Sequence, residues 1–237
     1  MKKSELLKFI NRYHLSGATT SVKWTADSGT LATDFITDDQ NVIGRVQSNI
    51  DMGTHQLGVY ATPQLIKMLS ATNEDLTVTV KDINDKSISI NISDGDVDMT
   101  YMLADLSVIR QVPELKNTPT FNVSVDISDE FISKFVKAKN AIPEAENFGV
   151  MHTNDVTDII LNYASISTNR IKYSIKNEDS TDMKVVCFSS NLFKDILLAN
   201  KDADRGVLEV SAAGLARVTF QSQTYTAVYY LVQLQTS

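Results

Sequence analysis

Leu6-Leu7-Lys8-Phe9-Ile10 and Leu65-Ile66-Lys67-Met68-Leu69 share one pattern: two apolar residues, a lysine, two apolar residues. On a helix this spacing puts the apolar side chains on one face and the lysine opposite. Phe131-Ile132 with Phe135-Val136, and Leu192-Phe193 with Ile196-Leu197, carry the same arrangement with a spacing one residue longer. Leu6 and Leu65 are 59 positions apart, and Phe131 and Leu192 are 61 apart. A repeat near sixty residues predicts a βαβββ-like unit used four times, in two similar halves.

The predicted helices begin near Ser4, Thr62, Ser128 and Ser189 or Ser190, each a hydroxyl able to cap a first turn. Pro63 suits the first helical position, where its missing N–H costs nothing. Between the helices, period-two alternation predicts strands at 21–24, 31–36, 76–80 and 87–92. The second half offers 121–125, 159–164, 170–175, 183–188, 207–211, 216–221 and 225–234. Asn84-Asp85 and Asp94-Gly95-Asp96 supply turns. Alternation implies antiparallel sheets with one wet and one buried face. Residues 105–119 have no clear period and hold Pro113 and Pro119, so they read as a connector. The expected organisation is an N-terminal domain over 1–104, that connector, and a C-terminal domain over 120–237.

Composition narrows the class. Hydrophobic residues make up 43% of the 237, enough for a packed core, and no long apolar run predicts a membrane span. The opening Met1-Lys2-Lys3-Ser4-Glu5 lacks the apolar stretch of a signal peptide. The single cysteine, Cys187, excludes an intrachain disulfide, fits a reducing compartment and reads as a buried structural thiol within Val185-Val186-Cys187-Phe188.

Net charge is −7, which by itself argues against a nucleic-acid binder. The distribution reverses that argument. The four helical segments with the short leader hold ten basic and four acidic residues, against 12 and 25 in the rest. Glu5, Asp129 and Glu130 fall in first turns, where the helix dipole favours them. Helical geometry places Lys8 and Arg12 opposite the apolar face of the first helix. Lys67 does the same in the second, Lys134 and Lys137 in the third, and Lys194 and Lys201 in the fourth; Lys139 points nearer the apolar side. With Lys3 from the leader, these residues form the candidate DNA-facing set. A basic lining on an acidic body offsets phosphate repulsion without reading bases, and few firm phosphate contacts suit a mobile ring.

Two helix-plus-strand halves, four basic helix faces and a central connector resemble DNA sliding clamps, the processivity factors of replicative polymerases. Leu57-Gly58-Val59-Tyr60 before Leu65-Ile66-Lys67-Met68-Leu69, Asn169-Arg170-Ile171-Lys172-Tyr173-Ser174-Ile175 and the strand 225–234 are closest to the trimeric clamps of T-even-like bacteriophages. The likeness spans nearly the whole chain but is diffuse. It implies an α+β clamp fold, with helices lining a ring and antiparallel sheets outside. It also implies a homotrimer joined head to tail, sheets continuing across subunit boundaries, and a clamp-loader ATPase that opens the ring on duplex DNA. Polymerase and other partners would insert peptides in an apolar pocket near the connector, here offering Leu106, Val108, Ile109, Val112 and Leu115. Packing of the linker on its own sheets explains these residues equally well. The implied setting is viral DNA replication in the cytoplasm of a host cell. The second helix, with Lys67 alone, departs from an even lining.

No catalytic or cofactor chemistry is selected. There is no glycine-rich phosphate loop. His14, His55 and His152 lack metal spacing and read as surface or helix-end residues. Asp94-Gly95-Asp96-Val97-Asp98 lacks the later glutamate of a calcium loop and reads as a hairpin turn. Asn200, Asp202 and Asp204 read as a helix end and turn. The sequence thus predicts a protein without catalytic activity, cofactor or metal. The alternative readings are a phage structural or assembly protein built from the same repeats and, less favoured, a metal-dependent enzyme using the acidic turns.

Overall fold

A computed structural model describes residues 1–164 and 169–235. Contacts divide the chain into two units, Met1–Pro113 with Thr224–Ala227, and Glu114–Gln223 with Val228–Ser237. The division falls inside 105–119, and the start of the last strand clusters with the first unit.

The first unit runs α1 (Lys3–His14), β1 (Val22–Asp27), β2 (Thr30–Ile36), β3 (Val42–Ser48), β4 (His55–Val59), α2 (Thr62–Ser70), β5 (Thr77–Ile83), β6 (Lys86–Ser93) and β7 (Asp98–Met102). The second runs β8 (Val123–Asp126), α3 (Asp129–Ala141), β9 (Asn147–Thr153), β10 (Val156–Leu161), β11 (Ile171–Lys176), β12 (Met183–Ser189), α4 (Ser190–Ala199), β13 (Arg205–Ser211), β14 (Leu215–Gln221) and β15 (Tyr225–Val232). In each unit the first helix precedes four strands and the second precedes three. The main irregularity lies before α1. Lys2 makes an isolated bridge to Asp75, where β8 pairs with β13 over four residues.

Within the first unit the strand orders are β4-β1-β2-β3 and β5-β6-β7; within the second they are β11-β10-β9-β12 and β15-β14-β13-β8. Antiparallel ladders join these strands. Alternation works as expected in β1, where Val22, Trp24 and Ala26 are buried and Lys23 and Asp27 are exposed. Strands β3, β4, β7 and β9 fall outside the runs that alternation predicts. Gly44 and Ser48 take buried positions in β3, and Gly149 and His152 take them in β9, which thins the apolar signal.

Each unit packs its helix pair, α1 with α2 and α3 with α4, and uses aromatic cores beneath them. In the first unit Phe9 and Tyr13 of α1 meet Trp24 edge to face, with centroids 5.6 and 6.4 Å apart. In the second, Phe135 meets Phe148 at 5.2 Å and Phe193 at 4.8 Å. Those rings hold the apolar helix stripes against the sheets and leave the other helix faces open.

Two of the four expected caps are present. Ser128 accepts from Phe131 N–H and Ser189 from Leu192 N–H, so these hydroxyls satisfy donors that the helix leaves unpaired. The other two expectations are corrected. α1 starts at Lys3, and Ser4 within its first turn bonds Glu74 instead; Thr62 is itself helical, buried, and 3.3 Å from the Tyr13 hydroxyl.

Candidate nucleic-acid interface

The open helix faces carry the expected lysines unevenly. Lys8, Lys67, Lys134 and Lys137 are exposed. Lys134 lies 2.7 Å from Glu130 one turn earlier, an exposed pair that holds its position without neutralising it strongly. Lys194 is half-buried and donates to Asn140 Oδ1 at 2.8 Å, bridging α4 to the end of α3. Lys3 is half-buried and donates to the Thr72 carbonyl. Lys201 is exposed but lies beyond the helix. α4 ends at Ala199 because Asn200 turns its amide back onto the Ile196 carbonyl and the Tyr229 hydroxyl, both at 2.8 Å.

Arg12 is a correction. It was expected on the open stripe, yet it is only 3% exposed, with its guanidinium 3.3 Å from the centre of the Tyr225 ring. Tyr225 is too distant in sequence for a helical wheel to show that an aromatic face covers this side of α1. Lys139 is buried, as its angle implied. It donates to the Pro143 carbonyl at 2.6 Å, and burial, with Lys194 nearby, lowers its pKa.

The connector begins on a short 3₁₀ turn, Leu106–Val108, capped by Asp105. The Asp105 carboxylate accepts from Ser107 N–H and from Lys86 Nζ, which lowers its pKa to about 2. Leu106, Ile109 and Val112 line a groove of about 740 Å³ over β1, β2 and β3. Its other walls include Lys23, Asp27, Asp34, Arg45 and Arg110, so it is more polar than the connector sequence implied. Ile109 is buried, whereas Val108 is 71% exposed and lines no part of it. Leu115 is exposed and belongs to the second unit. A second cavity of about 690 Å³, which periodicity could not reveal, joins Ile88, Met102, Leu103 and Leu106 at the start of the connector.

Other candidates resolve locally. Asp94 accepts from the Asp96 and Val97 N–H groups in the β6–β7 turn. His152 corrects its expected surface or helix-end placement: it is buried in β9, with Nδ1 2.9 Å from Thr157 Oγ1. His14 ends α1 against the Thr19 carbonyl, and His55 lies 3.6 Å from Asp82. Among the described residues no group of three or more His, Cys, Asp or Glu side chains could hold a metal ion. No described helix is long and apolar enough to cross a membrane.

No protein-family model matches the chain, and no curated protein matches it. Solved structures do. Proliferating cellular nuclear antigen (PCNA) from Entamoeba histolytica superposes with a TM-score of 0.74 at 13% identity, over 99% of this chain and 96% of that one. The A. fulgidus PCNA solved with the C-terminal region of FEN-1 gives 0.77 at 15%, over 100% and 98%. The PCNA2–PCNA3 complex from Sulfolobus tokodaii gives 0.74 at 10%, over 98% and 97%. The fold is the PCNA-like clamp fold. These three structures are eukaryotic and archaeal in name, so the T-even-like type is not among the likenesses they establish. Within the clamp fold, α1, α2 and α3 are the elements that carry Lys8, Lys67, Lys134 and Lys137 on open faces.

Proposed function

We propose that this chain is a DNA sliding clamp that closes as a homotrimer around duplex DNA and tethers a DNA polymerase. The carrying observation is that exposed lysines occupy the open faces of a clamp fold's helices while the chain as a whole has net charge −7. Such a surface attracts any phosphate backbone without reading its sequence. Lys194 held by Asn140 and Arg12 buried under Tyr225 leave fewer mobile cations, which favours loose tracking over firm binding.

A loader ATPase would open the ring, and partners would dock peptide segments at the connector groove holding Leu106, Ile109 and Val112. The A. fulgidus PCNA bound to the C-terminal region of FEN-1 supports docking of that kind. The local phrases at 57–60 with 65–69, at 169–175 and at 225–234 favour a T-even-like phage clamp, acting without catalysis in a host cytoplasm.

Retention on circular DNA tests the reading. Clamp loaded onto a nicked circle should stay bound and escape within seconds to minutes once the circle is cut. Equal release from circular and linear DNA, with no stimulation of polymerase processivity, would leave an assembly protein as the better account.

A further inference from the structure

The recess beside Met102 is built differently from the connector groove. It lies wholly within the first unit, between the β5–β6 hairpin, the start of β4 and the start of the connector. Asn84 and Asp85 both take positive φ, 50° and 61°, which closes a two-residue turn between Ile83 and Lys86. The register then shifts at Lys81 and Asp82, leaving Ile88 as the extra residue of a β-bulge. The Ile88 carbonyl accepts from Leu103 N–H, and both residues line the recess. Met102 and Leu106, 54% and 37% exposed, complete its apolar lining. Large apolar side chains gathered in one open recess mark a contact surface, where the same residues scattered singly would not.

The charged residues around the recess say what fits it. Asp82 and Asp85 of the hairpin and Asp105 of the connector set three carboxylates against one ammonium, Lys86, counting histidine as neutral. The connector groove has the opposite balance, with Lys23, Arg45 and Arg110 against Asp27 and Asp34. The two adjoin, because Leu106 and Gln56 line both. The connector turn that carries Leu106 is held lightly. Ala104 N–H donates to the Gly58 carbonyl, and the Asp105 carboxylate accepts from Ser107 N–H and from Lys86 Nζ at 3.1 Å. Lys86 and Asp105 are both well exposed, so their pair is worth little and is easily exchanged.

We propose that this recess is a second docking site, for a partner segment carrying arginine beside a bulky apolar side chain, and that filling it weakens docking in the connector groove. The coupling, though not the recess itself, rests on the clamp reading. The apolar side chain seats on Ile88, Met102 and Leu103. The arginine meets the acidic rim. Its planar fork grips a carboxylate through two hydrogen bonds, where Lys86 offers a point charge, so it displaces Lys86 from Asp105. The Asp105 turn then loses its tie to the hairpin, and Leu106 closes over the occupant. Leu106 is a wall of the connector groove as well, so a peptide there loses one of its apolar contacts. One partner can thereby loosen another on the same subunit without touching it.

Methyl NMR on the intact chain tests both claims. Met102 lines the recess and not the groove, and Ile109 lines the groove and not the recess. Acetyl-Arg-Leu-Arg-amide should shift the Met102 methyl signal saturably, and the Ile109 signal with the same midpoint. Acetyl-Glu-Leu-Glu-amide and acetyl-Arg-Ser-Arg-amide should each bind about tenfold more weakly, the first through like-charge repulsion and the second through lost apolar burial. Asp105→Asn should weaken the arginine peptide about tenfold. Lys86→Ala removes the competing cation and should tighten it about threefold, whereas a merely structural Lys86 would give equal or weaker binding. Saturating peptide should also lower polymerase stimulation without shortening retention on circular DNA. No Met102 shift, or equal binding of the arginine and glutamate peptides, overturns the site. A Met102 shift without an Ile109 shift overturns the coupling. A Met102 shift on raising the chain concentration alone overturns the partner assignment and makes a second copy the occupant. If the clamp reading itself fails, the chain escapes circular DNA and stimulates no polymerase, while the Met102 signal still decides the recess.

Discussion

Lys8 and Arg12 sit one turn apart on α1 and end in opposite environments, which makes them a paired test of the helix face. Arg12→Ala removes a buried cation from the Tyr225 ring and should cost about 2 kcal/mol, seen as a lower urea midpoint. Lys8→Glu should leave that midpoint within about 0.5 kcal/mol and instead shorten retention on circular DNA. A retention defect in Arg12→Ala at full stability would place the guanidinium on DNA after all. Cys187 is the other informative single residue. Burial pushes its thiol up to about 11 from an ordinary value of 9.0. The folded state then holds a proton that the unfolded state has released, so stability should fall as pH rises from about 9 to 11. Burial of Tyr13 and Tyr173 raises their pKa values and acts in the same direction at higher pH. Cys187→Ala should flatten the pH 9–11 part of a midpoint-against-pH curve, and an unchanged slope would refute the assignment.

At the scale of elements, the helices illustrate what local chemistry can and cannot report. Ser128 and Ser189 precede apolar runs and cap them, because capping depends on neighbours three residues away. Ser128→Ala and Ser189→Ala should each lower stability by about 1 kcal/mol in denaturant titrations. Ser4 was misread for a physical reason: Lys2 is tied to Asp75, a contact across 73 residues, and this starts the helix earlier. The end of the fourth helix has the same cause, since the Asn200 amide is drawn to Tyr229 in a distant strand. The connector start is also tertiary. A Cβ added at Gly58 would lie 2.3 Å from the Ala104 carbonyl, so Gly58→Ala should displace the backbone leading into the connector. It should weaken any peptide docked beside Leu106 more than it weakens retention on DNA, readable by comparing peptide titration with circle escape.

For the whole molecule, segregated charge makes salt the natural variable. Lys134→Glu with Lys137→Glu reverses two exposed cations of one helix. Retention on circular DNA should fall roughly tenfold near physiological salt, with thermal stability nearly unchanged. Equal retention would detach the helix face from the DNA role. The repeated helix-and-strand organisation in two halves was legible from 237 residues because each helix repeats a burial pattern that water enforces locally, and alternation does the same for strands such as β1; the clamp fold itself entered through the family resemblance. The charge imbalance between helices and body was legible for the same reason, since counting needs no coordinates. Partners brought together by folding were not. Tyr225 over Arg12, Asn140 on Lys194 and the polar walls beneath Ile109 join residues tens to hundreds of positions apart. Periodicity records which side of an element faces apolar surroundings. What covers the other side is set by packing between elements, and only the tertiary structure decides it.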